Sequence, residues 1–288
     1  MPMLPARVIS MPSRELEPAV TVPTAPPAWL KLDGTARRQA DTEVEAPALL
    51  GKAGEAWEAG DREQAAALCA EAVRADPAAW EPRYNEALLL EDRGQVEESI
   101  TGLKYACALA PDEAAPALRL AYLLEGTGRD AEAGFWYGRA LALDGSQTAG
   151  WLRLGLLEMR KSRWQAALPC LKKAAEREPA AGYPLGLCHA MIGQLEEAVD
   201  ALRRAPQDDP QVLTALAALA LEGGDLEAAE QFERVLRAVG DVPAELSYRL
   251  ALVWQDRGEE EAARTHYRRA VQGEPALASG YFALQSHS

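Results

Sequence analysis

A spacing of 34 residues, repeated along most of the chain, leaves few folds open to this sequence. A turn residue recurs at Gly60, Gly94, Gly128, Ser162, Gly193, Gly224 and Gly258, at intervals of 34, 34, 34, 31, 31 and 34. Five positions after each turn stands a small residue: Ala65, Ser99, Ala133, Ala167, Ala198, Ala229 and Ala263. Twelve positions further on comes a stop: Pro77, Pro111, Gly145, Pro179, Pro210, Asp241 (with Pro243 close by) and Pro275. Between these marks the apolar residues keep helical spacing, as in Leu118, Tyr122 and Leu124, then Phe135, Tyr137 and Leu141.

Each period therefore predicts two antiparallel helices. Glycine supplies the tight connection, where a side chain would strain the backbone. The small residue lets the second helix approach the first. The proline closes one helix and opens the next, because it lacks the donor that a helix interior needs. One hairpin cannot bury its apolar face alone, so neighbours must stack. The bias toward Ala, Leu, Glu and Arg, with few β-branched residues, agrees with an all-α chain.

This pattern resembles the tetratricopeptide repeat (TPR), in which Trp, Leu-Gly, Ala and Pro recur at fixed offsets. The fourth unit matches it best, with Trp151, Leu154, Gly155, Ala167, Leu171 and Pro179, although Glu158 stands where the pattern has Tyr. Unit three offers Leu120, Ala121, Leu124, Ala133, Tyr137 and Ala140, and unit seven offers Leu250, Ala251, Trp254, Gly258, Ala263, Tyr267, Ala270 and Pro275. Unit two has Ala87, Leu90, Leu103, Ala106 and Pro111. The resemblance implies a right-handed superhelical solenoid of seven stacked helix-turn-helix repeats over residues 45–275. Units five and six are each three residues short, and Pro184 falls inside what should be the first helix of unit five. A shortened or kinked helix is expected near residues 183–189. Residues 276–288 read as a capping helix and tail.

Residues 1–44 differ in kind. They hold seven of the nineteen prolines, and their five basic and five acidic residues cancel, which suits an extended or disordered arm with room for a short helix at 35–43. The formal charge of -14 therefore belongs to residues 45–288. Such a charge repels phosphate backbones and anionic membrane surfaces. The N-terminus has no apolar run of the kind a secretory signal needs, and the longest largely apolar stretch, residues 212–221, is too short to span a bilayer. Cys69, Cys107, Cys170 and Cys188 lack CxxC spacing and read as reduced thiols. The expectation is a cytoplasmic protein.

Parts for catalysis are missing from the sequence, so no enzyme, cofactor or metal is expected. His189, His266 and His287 are the only histidines, and adjacent helical residues such as Cys188 and His189 diverge by about 100°. Gly223-Gly224 and the Gly51/Gly54 pair follow no strand and lack phosphate-loop spacing. The acidic clusters Glu97-Glu98, Glu196-Glu197 and Glu259 to Glu261 fall in the first turns of second helices, where the helix dipole favours them.

The resemblance implies instead that the first helix of each repeat lines a concave groove for another protein or peptide. Positions that line such grooves fall on Tyr84, Leu88 and Glu91, then Leu118, Tyr122 and Glu125, then Leu152, Leu156 and Met159, and on Tyr183 and Leu187. The sixth position, at the groove edge, carries Asn85, Arg119, Arg153 and Arg249. Ordinary packing against the next repeat is the competing role for each apolar member. Arg119 and Arg153 suit a bidentate grip on a partner's carboxylate, or equally pairing with Glu91, Glu125 or Glu158. A chaperone-type carboxylate clamp is disfavoured, because Leu50 and Gly54 stand where that clamp has Lys and Asn. The alternatives to a general adaptor are a regulatory module for a separate signalling enzyme, such as a chemotaxis-type methyltransferase, and a secretion or pilus-assembly chaperone. In the arm, Trp29-Leu30-Lys31-Leu32 is a candidate for docking on the repeats or on a partner, or for capping the first repeat.

Overall fold

The computed structural model describes residues 45–239 and 242–277. The arm with its Trp29 cluster, the expected stop at Asp241 and the tail beyond residue 277 lie outside the described residues. Among those described, the regular elements are helical, with no strand. Fourteen α-helices pair as seven hairpins: α1 (Glu45–Glu58) with α2 (Arg62–Ala75), α3 (Trp80–Asp92) with α4 (Val96–Leu109), and α5 (Ala114–Gly126) with α6 (Asp130–Leu143). They continue as α7 (Thr148–Arg160), which a turn joins to α8 (Trp164–Ala175), then α9 (Gly182–Met191) with α10 (Leu195–Arg204), α11 (Pro210–Glu222) with α12 (Leu226–Val239), and α13 (Ala244–Asp256) with α14 (Glu260–Gly273).

The turn positions picked out by the period all adopt the left-handed backbone conformation, with φ between 56° at Ser162 and 83° at Gly60. Six are glycine, for which this region carries no steric penalty. At Gly128 the turn closes by two backbone bonds, Gly128 N–H to the Glu125 carbonyl (2.9 Å) and Arg129 N–H to the Leu124 carbonyl (2.8 Å), which satisfy carbonyls that the helix end leaves unpaired.

The seven small residues that follow are all fully buried. In the second hairpin the reason is visible: the Ser99 hydroxyl donates to the Ala87 carbonyl at 2.7 Å, and a Cβ at Gly102 would lie 3.2 Å from that of Ala87. Helices this close admit only small side chains at the crossing. Pro210 opens α11, where its missing N–H costs nothing, and Asp209 caps the same end by accepting from Gln211 N–H at 2.8 Å.

The two short periods trace to one hairpin, which corrects the expectation that units five and six are both trimmed. α9 and α10 have ten residues each, whereas α11 and α12 have 13 and 14. Pro184 causes no break. A 3-10 turn at Pro179–Ala181 leads into α9, and the proline sits in the first turn of that helix, where its N–H has no partner to lose.

The chain divides into two compact units, with the boundary inside α7 between Leu157 and Glu158. In the first, Leu50, Ala53, Ala65, Cys69, Ala72 and Leu89 form one apolar cluster. Tyr84, Leu88, Ile100, Leu103, Leu120, Leu124 and Tyr137 form another, which spans two hairpins. In the second, Leu213, Ala217, Leu226, Leu236, Leu246 and Leu250 join the sixth and seventh hairpins. No helix among the described residues is long and apolar enough to cross a membrane.

Candidate interaction surface

Successive hairpins place the first helices α3, α5 and α7 side by side, and the candidate residues on them divide by burial. Tyr84 and Leu88 belong to the apolar cluster of the second and third hairpins. Burial pushes the Tyr84 hydroxyl up to about 12, with Arg119 opposing and Glu91 reinforcing. Asn85, Leu152 and Leu156 are likewise buried. These five supply interior rather than open surface. Leu118, Arg119, Tyr122 and Arg153 are half-buried and keep a face toward solvent. In the second unit, Met159 and Leu187 are buried and Tyr183 is half-buried.

The arginines are not idle cations. Arg119 meets Glu91 of the preceding hairpin in a fork, Nε to Oε2 at 2.9 Å and Nη2 to Oε1 at 2.5 Å. Arg153 lies one hairpin on, its Nη1 3.9 Å from Glu125 and its guanidinium 6.0 Å from the Tyr122 ring centre. Arg249 repeats the arrangement in the second unit, 3.7 Å from Glu222. Of the two roles open to Arg119 and Arg153, pairing with their own carboxylates is the one formed.

The two arginines are nevertheless unequal. Glu125 also accepts the Tyr137 hydroxyl at 2.7 Å, and Tyr137 stands edge-on to Tyr122 with ring centres 5.5 Å apart. Arg153 Nε is buried without a protein partner. Asn85 occupies the same position in the second hairpin, is fully buried, and has no partner for either amide atom. The reason is local: three residues before its turn, the preceding hairpin carries Trp57 where the next two carry Glu91 and Glu125. Tyr137 supports this surface from beneath: it is fully buried, comes from a second helix, and reaches across to Glu125, a pairing that the spacing did not reveal.

The cysteines are core residues. Burial pushes the Cys69 thiol up to about 12 and those of Cys107, Cys170 and Cys188 up to about 11, which keeps them protonated near neutral pH. Cys188 and His189 part company: the thiol lies 3.0 Å from the Trp164 carbonyl, while His189 Nδ1 meets the Gln194 side chain at 2.7 Å. Among the described residues no group of three or more His, Cys, Asp or Glu is placed to hold a metal ion.

The sequence profile of the tetratricopeptide repeat matches residues 50–114, 152–212 and 214–279, more than half of the chain. General transcription factor 3C polypeptide 3 of Homo sapiens is 33% identical over 93 residues, which are 32% of this chain but only 10% of that protein. Among solved structures, the C-terminal part of a TPR repeat-containing protein from Cytophaga hutchinsonii aligns with a TM-score of 0.63 at 13% identity, covering 80% of this chain and 98% of that one. A tetratricopeptide repeat protein from Parabacteroides merdae aligns at 0.52 and 16% identity, covering 84% and 99%. At these identities the likeness is one of fold.

Proposed function

The chain belongs to the tetratricopeptide-repeat family, and on that premise we propose that it is a non-catalytic scaffold that holds a segment of another protein against its first helices. The observation that carries this is the half-buried group Leu118, Arg119, Tyr122 and Arg153 on α5 and α7. Together they offer an apolar anchor, an aromatic face and two guanidinium groups within one surface. Side chains held in place by packing and ion pairs lose little further freedom when a ligand arrives. Arg153, which meets Glu125 only at 3.9 Å, is the guanidinium best placed to donate to a ligand carbonyl or carboxylate. Arg119 would have to exchange Glu91 for the ligand.

Affinity capture from the native cell, using the full chain and an Arg119→Gln, Arg153→Gln variant, tests the assignment. Glutamine keeps most of the stem while removing charge, so Glu91 and Glu125 meet no like charge. The variant should fold, by circular dichroism, and lose the partners that the wild type retains. Recovery of the same partners in the same yield would show that binding lies elsewhere.

A further inference from the structure

One core position breaks the rule that the other hairpins keep. Four residues beyond the small residue, six hairpins bury Cys69, Leu103, Tyr137, Leu171, Leu202 or Tyr267, all fully enclosed, whereas the sixth places Glu233 there, 3% exposed. A buried carboxylate is unfavourable unless it is paired. Two arginines pair it: Arg237 of α12 at 2.6 Å and Arg269 of α14 at 3.2 Å. Beside it on α14 lies His266, itself buried. Its Nδ1 is 3.8 Å from Glu233 and its Nε2 is 3.8 Å from Glu230, both beyond hydrogen-bond length. Glu230 is taken by the Trp254 indole N–H of α13 at 3.0 Å, and His266 Nδ1 has no partner.

These groups line a cleft of about 410 Å³ between α12 and α14. The charged groups facing the ring are Glu230, Glu233, Arg234 and Arg237 from α12, with Glu261 and Arg269 from its own helix, while α13 contributes the neutral Trp254. The acids that would welcome a proton on the imidazole are matched by three arginines in the same cleft. We propose that His266 makes the attachment of the seventh hairpin to the sixth a pH-sensitive joint, closed when the ring is neutral and loosened when it takes up a proton. Burial holds the imidazole below its ordinary value of 6.5, with Arg269 and Arg237 acting in the same direction and Glu233 and Glu230 against it. The folded chain thus binds this proton less readily than the unfolded chain. Its contribution to stability is whole above the ordinary histidine range and declines as pH falls below 6.5.

Amide hydrogen exchange of the full chain, corrected for intrinsic rates and measured at about pH 7.5 and about pH 5.5, tests this across the histidine range. Exchange in α13 and α14 should accelerate at the lower pH, within the limit of about tenfold per pH unit that one proton allows. In a His266→Leu variant, which leaves Glu233 its two arginines, the acceleration should vanish. Equal acceleration in both proteins overturns the proposal. Should that variant fail to fold, nuclear magnetic resonance titration of the wild-type imidazoles decides instead: His266 titrating below 6.5 sustains the joint, and titration at or above 6.5 refutes it.

Discussion

Ser162 holds at φ 56° a conformation that the other six hairpins reserve for glycine. A Cβ in this region crowds the following carbonyl, at a cost of roughly 1–2 kcal/mol. Ser162 N–H still bonds to the Met159 carbonyl at 2.8 Å, so the turn forms as it does elsewhere, but strained. Ser162→Gly should raise stability by about 1 kcal/mol, less than the full strain because glycine also loosens the unfolded chain. Thermal denaturation reads this as a higher melting temperature, and a lower one would mean that the serine side chain makes a contact worth more than the strain. Single residues of this kind are what the spacing made legible. Left-handed turns and helix crossings each impose a demand on one position, and the demand shows as Gly or Ala at all but Ser162 and Ser99. Partnership across hairpins carries no such mark. Arg119 and Glu91 are 28 residues apart, and nothing between them says which of several acids the guanidinium will choose.

At the scale of the helix, the fifth hairpin shows how a shorter pair keeps its grip. Ten-residue helices present less surface, and α9 and α10 meet by backbone closeness instead. A Cβ on Gly186 would fall 2.6 Å from Leu202 Cγ and 3.1 Å from the Ala198 carbonyl, and one on Gly182 would fall 2.8 Å from the Ala201 carbonyl. Gly186→Ala should therefore destabilise the protein by about 1–3 kcal/mol through overpacking, despite alanine's better helix propensity. Urea denaturation that shows a gain would indicate that Leu202 moves aside freely. The expected shortening near residues 183–189 was readable in the 31-residue turn spacing, and not in Pro184, which the first turn of α9 accommodates. The assignment of a second shortening to unit six failed because turn-to-turn distance counts residues without saying which helix lost them. Burial on first helices was similarly opaque: Leu118 and Leu152 hold equivalent positions, yet one is half-buried and the other buried. Position in the repeat sets the side of the helix, and whatever lies against that side sets the exposure.

Over the molecule as a whole, charge is the property with the longest reach. The net -14 resides in the repeats, and many of their arginines are already committed to carboxylates, including Arg119, Arg153, Arg237, Arg249 and Arg269. A duplex of DNA should not bind at protein concentrations up to about 10 µM in about 150 mM salt, where non-specific binders with free cations typically do. Fluorescence anisotropy with a labelled duplex checks this, and a salt-sensitive complex at or below about 10 µM would contradict it. The trimmed fifth hairpin bears on how such an array can change length over time. Three residues span about 300° of helical rotation, so losing them returns the next side chain to within about 60° of its former bearing. Losing two would swing it by about 200° and turn core toward water. Excisions of three or four residues between turns are thus the ones this lineage can absorb without rewriting the neighbouring hairpins.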